Sequence, residues 1–264
     1  MRWAFLAAAI LLNGLGAPVA YAAADDALAR ARQLYNERRF EAAVLAAEEG
    51  LTPERADAVD LIIARSYLER YRESQSEADL TNARERLRRI TPEKLNDGER
   101  VEYLVGLGEE LFLEGQAGAA AQMFDTIFEW APPLGVEARE RVLDWWASAL
   151  DHEARPRADM DRQAVYLKIR DRMRTELGRN PGSAVASYWL SAAASRQGDH
   201  QAAWDAALAA WVRTPLSPDG GILLRTDLDK LVQRMIIPQR ARAMAQAPES
   251  LLADWDDFKV RWAR

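Results

Sequence analysis

Apolar residues along this chain recur at intervals of three and four, as in Leu104, Leu107 and Leu111 and again in Met123, Ile127 and Trp130. That period lines one face of an α-helix. Ala83, Leu87 and Ile90 make another such stripe, and the charges around them (Arg84, Glu85, Arg86, Arg88, Arg89) fall on the solvated side. Runs of β-branched residues are short, so strand signals are nearly missing. The pattern predicts helices over Arg55–Tyr71 and Glu77–Ile90, joined by the polar run Arg72–Ser76. It predicts a second pair over Val136–Ala154 and Ala158–Gly178, with Pro156 breaking the chain between them. Thr52-Pro53 and Thr91-Pro92 each set a capping hydroxyl before a proline suited to the first helical turn. Ser76 with Asp79 has the spacing of a capping box. The chain reads as all-α.

Two distant stretches carry one ladder. Gly108, Gly115, Ala120, Phe124, Ile127 and Pro132 are separated by seven, five, four, three and five residues, and Ser191, Gly198, Ala203, Ala207, Ala210 and Pro215 repeat those steps. Small residues in a first helix let a second approach closely, and glycine takes the left-handed conformation that ends a helix. The next three positions share one face of the second helix, and proline closes the unit. A unit of about 34 residues, helix–turn–helix, stacks into a solenoid. Ala31, Arg38, Ala43, Ala47 and Gly50 keep the same offsets, with Phe40 as the aromatic near the turn, Arg38 in place of the turn glycine and Pro53 two residues early.

At these residues the sequence resembles the tetratricopeptide repeat (TPR) family. The resemblance covers most of residues 25–215 and implies an antiparallel helix-pair solenoid. It also implies that the first helix of each unit lines a concave surface where ligands, often peptide segments, lie. Carried over by position, that surface would hold Arg32 and Tyr35, then Glu109 and Phe112, then Tyr188, Ala192 and Arg196, with Asp144 and Ser148 if the fourth unit keeps its register. Neighbouring helical residues point about 100° apart, so Trp145 and Trp146 cannot both face one core, and Trp145 is the groove candidate.

The N-terminus predicts export. Met1 and Arg2 precede the apolar run Trp3–Leu12, Asn13 is its first polar residue, and Ala20-Tyr21-Ala22 supplies a small–any–small site before Asp25 and Asp26. These are the three parts of a secretory signal peptide. The apolar core falls short of the ~20 residues of a membrane span. The domain plan is therefore a signal peptide at 1–22, a repeat array at 23–215 and a helical C-terminal cap at 216–264. In the cap, the loop Ser217–Gly221 precedes a helix opened by Thr226-Asp227-Leu228-Asp229, and Pro238 and Pro248 begin further short helices. The last of these carries Leu251, Leu252, Trp255, Phe258 and Trp262.

The chain has no cysteine, which removes both a disulfide framework and a lipid-bearing cysteine after the apolar run. A net charge of −6 argues against a nucleic-acid partner. Arginine-rich, lysine-poor usage suggests a GC-rich bacterial genome, so the expected address is periplasmic or secreted, in a Gram-negative bacterium.

Catalytic patterns are thin. His152 and His200 lack a metal-ligand spacing such as His-Glu-x-x-His, and no Gly-x-Ser-x-Gly, P-loop or dinucleotide fingerprint occurs. Asp227 and Asp229 have the spacing of a divalent-cation pair, although Thr226 and Asp229 also fit a helix start. Eight tryptophans follow position 22, mostly at core spacing. The expectation is a non-enzymatic scaffold without a cofactor, binding a protein or peptide in its concave groove and not inserting in a membrane. The alternatives are a periplasmic small-molecule-binding or transport-accessory protein, and a metal-assisted enzyme built on Asp227 and Asp229.

Overall fold

A computed structural model of the chain describes residues 16–130, 135–217 and 221–263, with backbone alone at 16–23 and 130. The apolar run Trp3–Leu12, Asn13, Pro132 and most of the loop Ser217–Gly221 lie outside the described residues. Everything regular among the described residues is helical. Two compact units meet within one helix, at Glu110 and Leu111.

The first unit contains α1 (Gly16–Asn36), α2 (Phe40–Glu49), α3 (Ala56–Ser74), α4 (Glu77–Arg89), a 3₁₀ turn at Pro92–Lys94 and most of α5 (Asp97–Leu113). Here α1 packs on α2, α3 on α4, and α3 also touches α1 and α2. Leu28, Ala31, Ala43, Ala47, Val59 and Ile63 make the shared core of α1–α3.

The second unit continues with α6 (Ala117–Trp130), α7 (Val136–Ala154), α8 (Asp159–Arg179), α9 (Ala184–Arg196) and α10 (His200–Arg213). After a 3₁₀ turn at Thr214–Leu216 come α11 (Ile222–Leu231), a π-helical turn at Val232–Ile236, α12 (Ile237–Met244) and α13 (Pro248–Arg261). Helices neighbouring in sequence pack together from α6 to α10, and α9 also touches α7 and α11. Trp255 of α13 is fully buried, its ring 6.1 Å from Trp204 and 5.5 Å from Trp211 of α10. The residues after 216 thus complete the core of α10.

The ladder positions inside the helices form a buried seam. Ala31, Ala43, Ala47, Ala120, Phe124, Ser191, Ala203, Ala207 and Ala210 have essentially no exposed surface. Ser191 does more than leave room: its hydroxyl donates to the Ala203 carbonyl at 2.7 Å, a bond between two ladder positions.

The turns repeat in detail. Gly115 and Gly198 sit at φ 80° and 76°. After each, two amides turn back on the helix: Gly115 donates to Phe112 and Gln116 to Leu111, while Gly198 donates to Ser195 and Asp199 to Ala194. This pair of bonds is the Schellman closure. Arg38 takes the same part at φ 60°, donating to Tyr35 while Arg39 donates to Leu34. The unit without a turn glycine therefore closes as the others do, with a side chain where glycine is favoured.

Some capping expectations are corrected. Ser76, Thr91 and Thr52 make no side-chain cap. Asp79 turns inward and meets Arg70 at 3.3 Å instead of answering Ser76. Thr226 lies inside α11, which begins four residues earlier, and its hydroxyl donates back to Ile222. The capping box is at Asn96 and Glu99, whose side chains each accept the other's backbone N–H at 2.9 and 3.1 Å.

A Cβ built at Gly198 meets nothing within 4 Å, so substitution there is penalised by φ alone. In urea unfolding, Gly198→Ala is expected to cost about 1 kcal/mol and Arg38→Gly to gain about 1 kcal/mol. The lost Arg38–Glu73 pair is exposed on both sides and offsets little. Equal midpoints for wild type and Arg38→Gly would show that the left-handed turn carries no such penalty.

Candidate functional site

In the first unit the candidates Arg32, Tyr35 and Glu109 belong to a charged lattice. Glu99 is buried, and its position is fixed by the capping box that starts α5. Arg32 of α1 reaches it at 2.7 Å and Arg55, the residue that precedes α3, at 3.6 Å. Arg65 of α3 lies 4.9 Å from the centre of the Tyr35 ring and 3.9 Å from the Glu109 carboxylate. Burial opposes the Arg65 charge, but Tyr35, Glu109, Glu102 and Glu69 outweigh it and hold the guanidinium above its ordinary range. Arg32 and Glu109 are thus engaged within the unit, where they tie α1, α3 and α5 together.

The second unit offers a different face. Trp146 is fully buried, edge-on to Phe128 with Lys168 and Arg172 each 5.7 Å from its ring. Trp145, one residue earlier, is half-buried on another side of α7. Phe112 lies between two α7 side chains one stripe apart, 5.2 Å from Trp145 and 5.1 Å from His152. Trp145 also stacks on Phe124 at 6.3 Å. The result is a ledge of three rings, Phe112, Trp145 and His152, backed by buried Phe124 and open at His152.

Carboxylates of α7 organise the residues beside this ledge. Asp144 accepts the Trp189 indole N–H at 2.7 Å. Asp151, buried, accepts the Tyr166 hydroxyl at 2.8 Å and an Arg155 N–H at 2.7 Å, and Arg196 of α9 stands 3.6 Å away. Burial, with Asp151 adding to it, pushes the Tyr166 phenol up to about 12. Burial also raises Tyr188, reinforced by Asp227, Asp144 and Asp151. Tyr188 packs edge-on to Trp189 at 5.3 Å. Arg196 keeps over a third of its side chain exposed. The candidates Phe112 and Trp145 therefore come together directly, while Tyr188 and Arg196 join through the α7 carboxylates.

Sequence reasoning missed Asp151 and Tyr166. The available signal was helical spacing: Asp151 and Arg155 are an i, i+4 pair, and Asp144 and Asp151 repeat at seven residues on α7. Glu99 was legible in the same way, through Asn96-Asp97-Gly98-Glu99.

Asp227 and Asp229 do not converge. Asp227 pairs with Lys230 at 3.0 Å, whereas Asp229 accepts the Trp255 indole at 2.7 Å and Lys259 at 2.9 Å. Among the described residues no group of three potential metal ligands occurs, and no helix is long and apolar enough to cross a membrane. Compared with known proteins, the chain matches no family model, no curated protein and no solved structure.

Removing a buried carboxylate strands the groups that faced it, so Asp151→Ala is expected to cost about 3 kcal/mol and Tyr166→Phe about 1 kcal/mol by chemical unfolding. Burial, then Arg155, holds the His152 imidazole below its ordinary 6.5, with Asp151 opposing. The folded state then binds this proton less readily than the unfolded chain. The stabilisation is fully present above pH 6.5 and is lost as pH falls through the depressed folded value. His152→Gln should flatten the decline in melting temperature just below pH 6.5, and an unchanged slope would remove His152 as its cause.

Proposed function

We propose that this chain is an exported, non-enzymatic helical-repeat protein of the TPR-like kind, with a helical C-terminal cap, that binds a protein or peptide segment. Three features support the repeat reading. The small and apolar ladder positions within the helices are buried, the same Schellman closure recurs at Arg38, Gly115 and Gly198, and alternate helices touch, α1 with α3 and α7 with both its neighbours and α9. Those contacts are what stacking of helix pairs produces.

The observation that carries the binding reading is the ring ledge of Phe112, Trp145 and His152 beside Arg196. Rings with an open edge supply contact area at small entropic cost, and a nearby guanidinium supplies register. Buried salt bridges leave little free charge on the first unit's candidate face, which makes the second unit the better place for an occupant. The export reading rests on the N-terminal segment, from Met1 through Ala22.

Tagged protein cross-linked in its native periplasm should capture a reproducible protein partner. Trp145→Ala is expected to reduce capture at least tenfold, and Arg196→Glu should do the same while the fold is kept. Capture that is unaffected by both substitutions would place the contact elsewhere, and tagged protein found only in the cytoplasm would overturn the export reading.

A further inference from the structure

The C-terminal helices enclose a second surface, remote in sequence from the ring ledge. Helices α10, α12 and α13 border an open groove of about 600 Å³. Its floor is apolar: Trp204 and Leu208 come from one side of α10, and Leu251 and Phe258 from α13. Trp204 and Leu251 are nearly covered, whereas Leu208 and Phe258 are only partly so. Its rim on α13 is Asp254 and Asp257, one turn apart, with Arg261 a further turn along. Leu251, Asp254, Asp257 and Phe258, and Arg261 recur at steps of three and four, so one stripe of α13 faces the groove.

The charges on this rim are unbalanced. Lys259 is shared between Asp256 and Asp229, at 2.9 Å from each. Asp254 and Asp257 have no ion-pair partner among the described residues, and both are exposed. Arg240 enters from α12, but its guanidinium lies 5.3 Å from the Trp204 ring centre and donates to Gln201 at 2.9 Å. It is held against the floor and does not reach across to neutralise the acids. Arg261 repels cations from the far end, which confines the attraction for them to the turn at 254–257.

An apolar floor beside two free carboxylates spaced by one helical turn is complementary to a helix that alternates apolar and basic residues. We propose that this groove docks an amphipathic basic helix, its apolar side chain between Leu208 and Phe258 and its lysine or arginine residues on Asp254 and Asp257. This surface is independent of the ring ledge of the second unit, so either binding site can fail without the other.

The test uses the full exported chain and a fluorescein-labelled amphipathic leucine–lysine peptide, followed by anisotropy at physiological salt. Wild type should bind the peptide, and the double variant Asp254→Asn/Asp257→Asn should bind it about tenfold more weakly. A double variant of exposed acids on α8, Asp161→Asn/Asp171→Asn, should bind like wild type, and so should Trp145→Ala. A leucine–glutamate peptide should not bind. No binding of the leucine–lysine peptide by wild type would overturn the proposal. Equal weakening by the α8 variant would assign the attraction to diffuse acidity and overturn it too. Loss in Trp145→Ala would move the peptide to the ring ledge, with the same consequence.

Discussion

Closure of a first helix by a residue in the left-handed conformation, at Arg38, Gly115 and Gly198, sets the rest of those three helix pairs. Two backbone bonds fix the reversal, and the direction of the following helix follows from them. Only then do Ala31 and Ala43, or Ser191 and Ala203, fall opposite each other and bury completely. Alanine-rich seams bring backbones close but contribute little apolar area per residue. The close approach is therefore useful only when the turn delivers the second helix in register. The Ser191 hydroxyl, bonded across the seam to Ala203, measures how near the two backbones come.

Between helices, within a pair and across pairs, the same chain relies on carboxylates. Glu99, Asp151 and Glu176 are each buried and each meet cations from more than one place in the sequence. Glu176 is held by both N–H arms of Arg139 at 2.7 Å. Buried pairs repay their desolvation only with good geometry, and breaking one is costly. Such contacts specify which helix faces which, a task that alanine cannot perform alone. They also divide the candidate surface. Where the first unit spends its charged side chains on internal pairs, the second leaves rings open beside Arg196.

Much of this was legible in the sequence because helical period and turn chemistry are local. The interval pattern located α7 to the residue and α3, α4 and α8 to within a few residues, and the ladder named the buried seam. Legibility failed where tertiary contacts redirected a polar side chain. Asp79 left its expected capping role for Arg70, and Asp229 left Asp227 for Trp255 and Lys259. At the site, helical spacing set Trp145 and Trp146 on different sides of α7, and Trp146 is the buried one. It could not show that Phe112 closes on Trp145, since that contact joins residues far apart in the chain. For Asp151 the spacing to Arg155 was legible, but its bond to Tyr166 was not, because that partner sits on another helix.

The cations chosen for the buried carboxylates have one more effect. Glu99, Glu109, Asp79, Asp151 and Glu176 are all met by arginine, and among the buried acids only Asp57 is reached by a lysine, Lys94 at 3.7 Å. A guanidinium keeps its proton in any aqueous medium a protein survives. A guanidinium can also offer one carboxylate two parallel N–H donors, as Arg139 does to Glu176, and so fixes its orientation as well as its charge. Lysine at these positions would keep the charge and lose the planar fork, so the lattice depends on the shape of its cations and not on their charge alone.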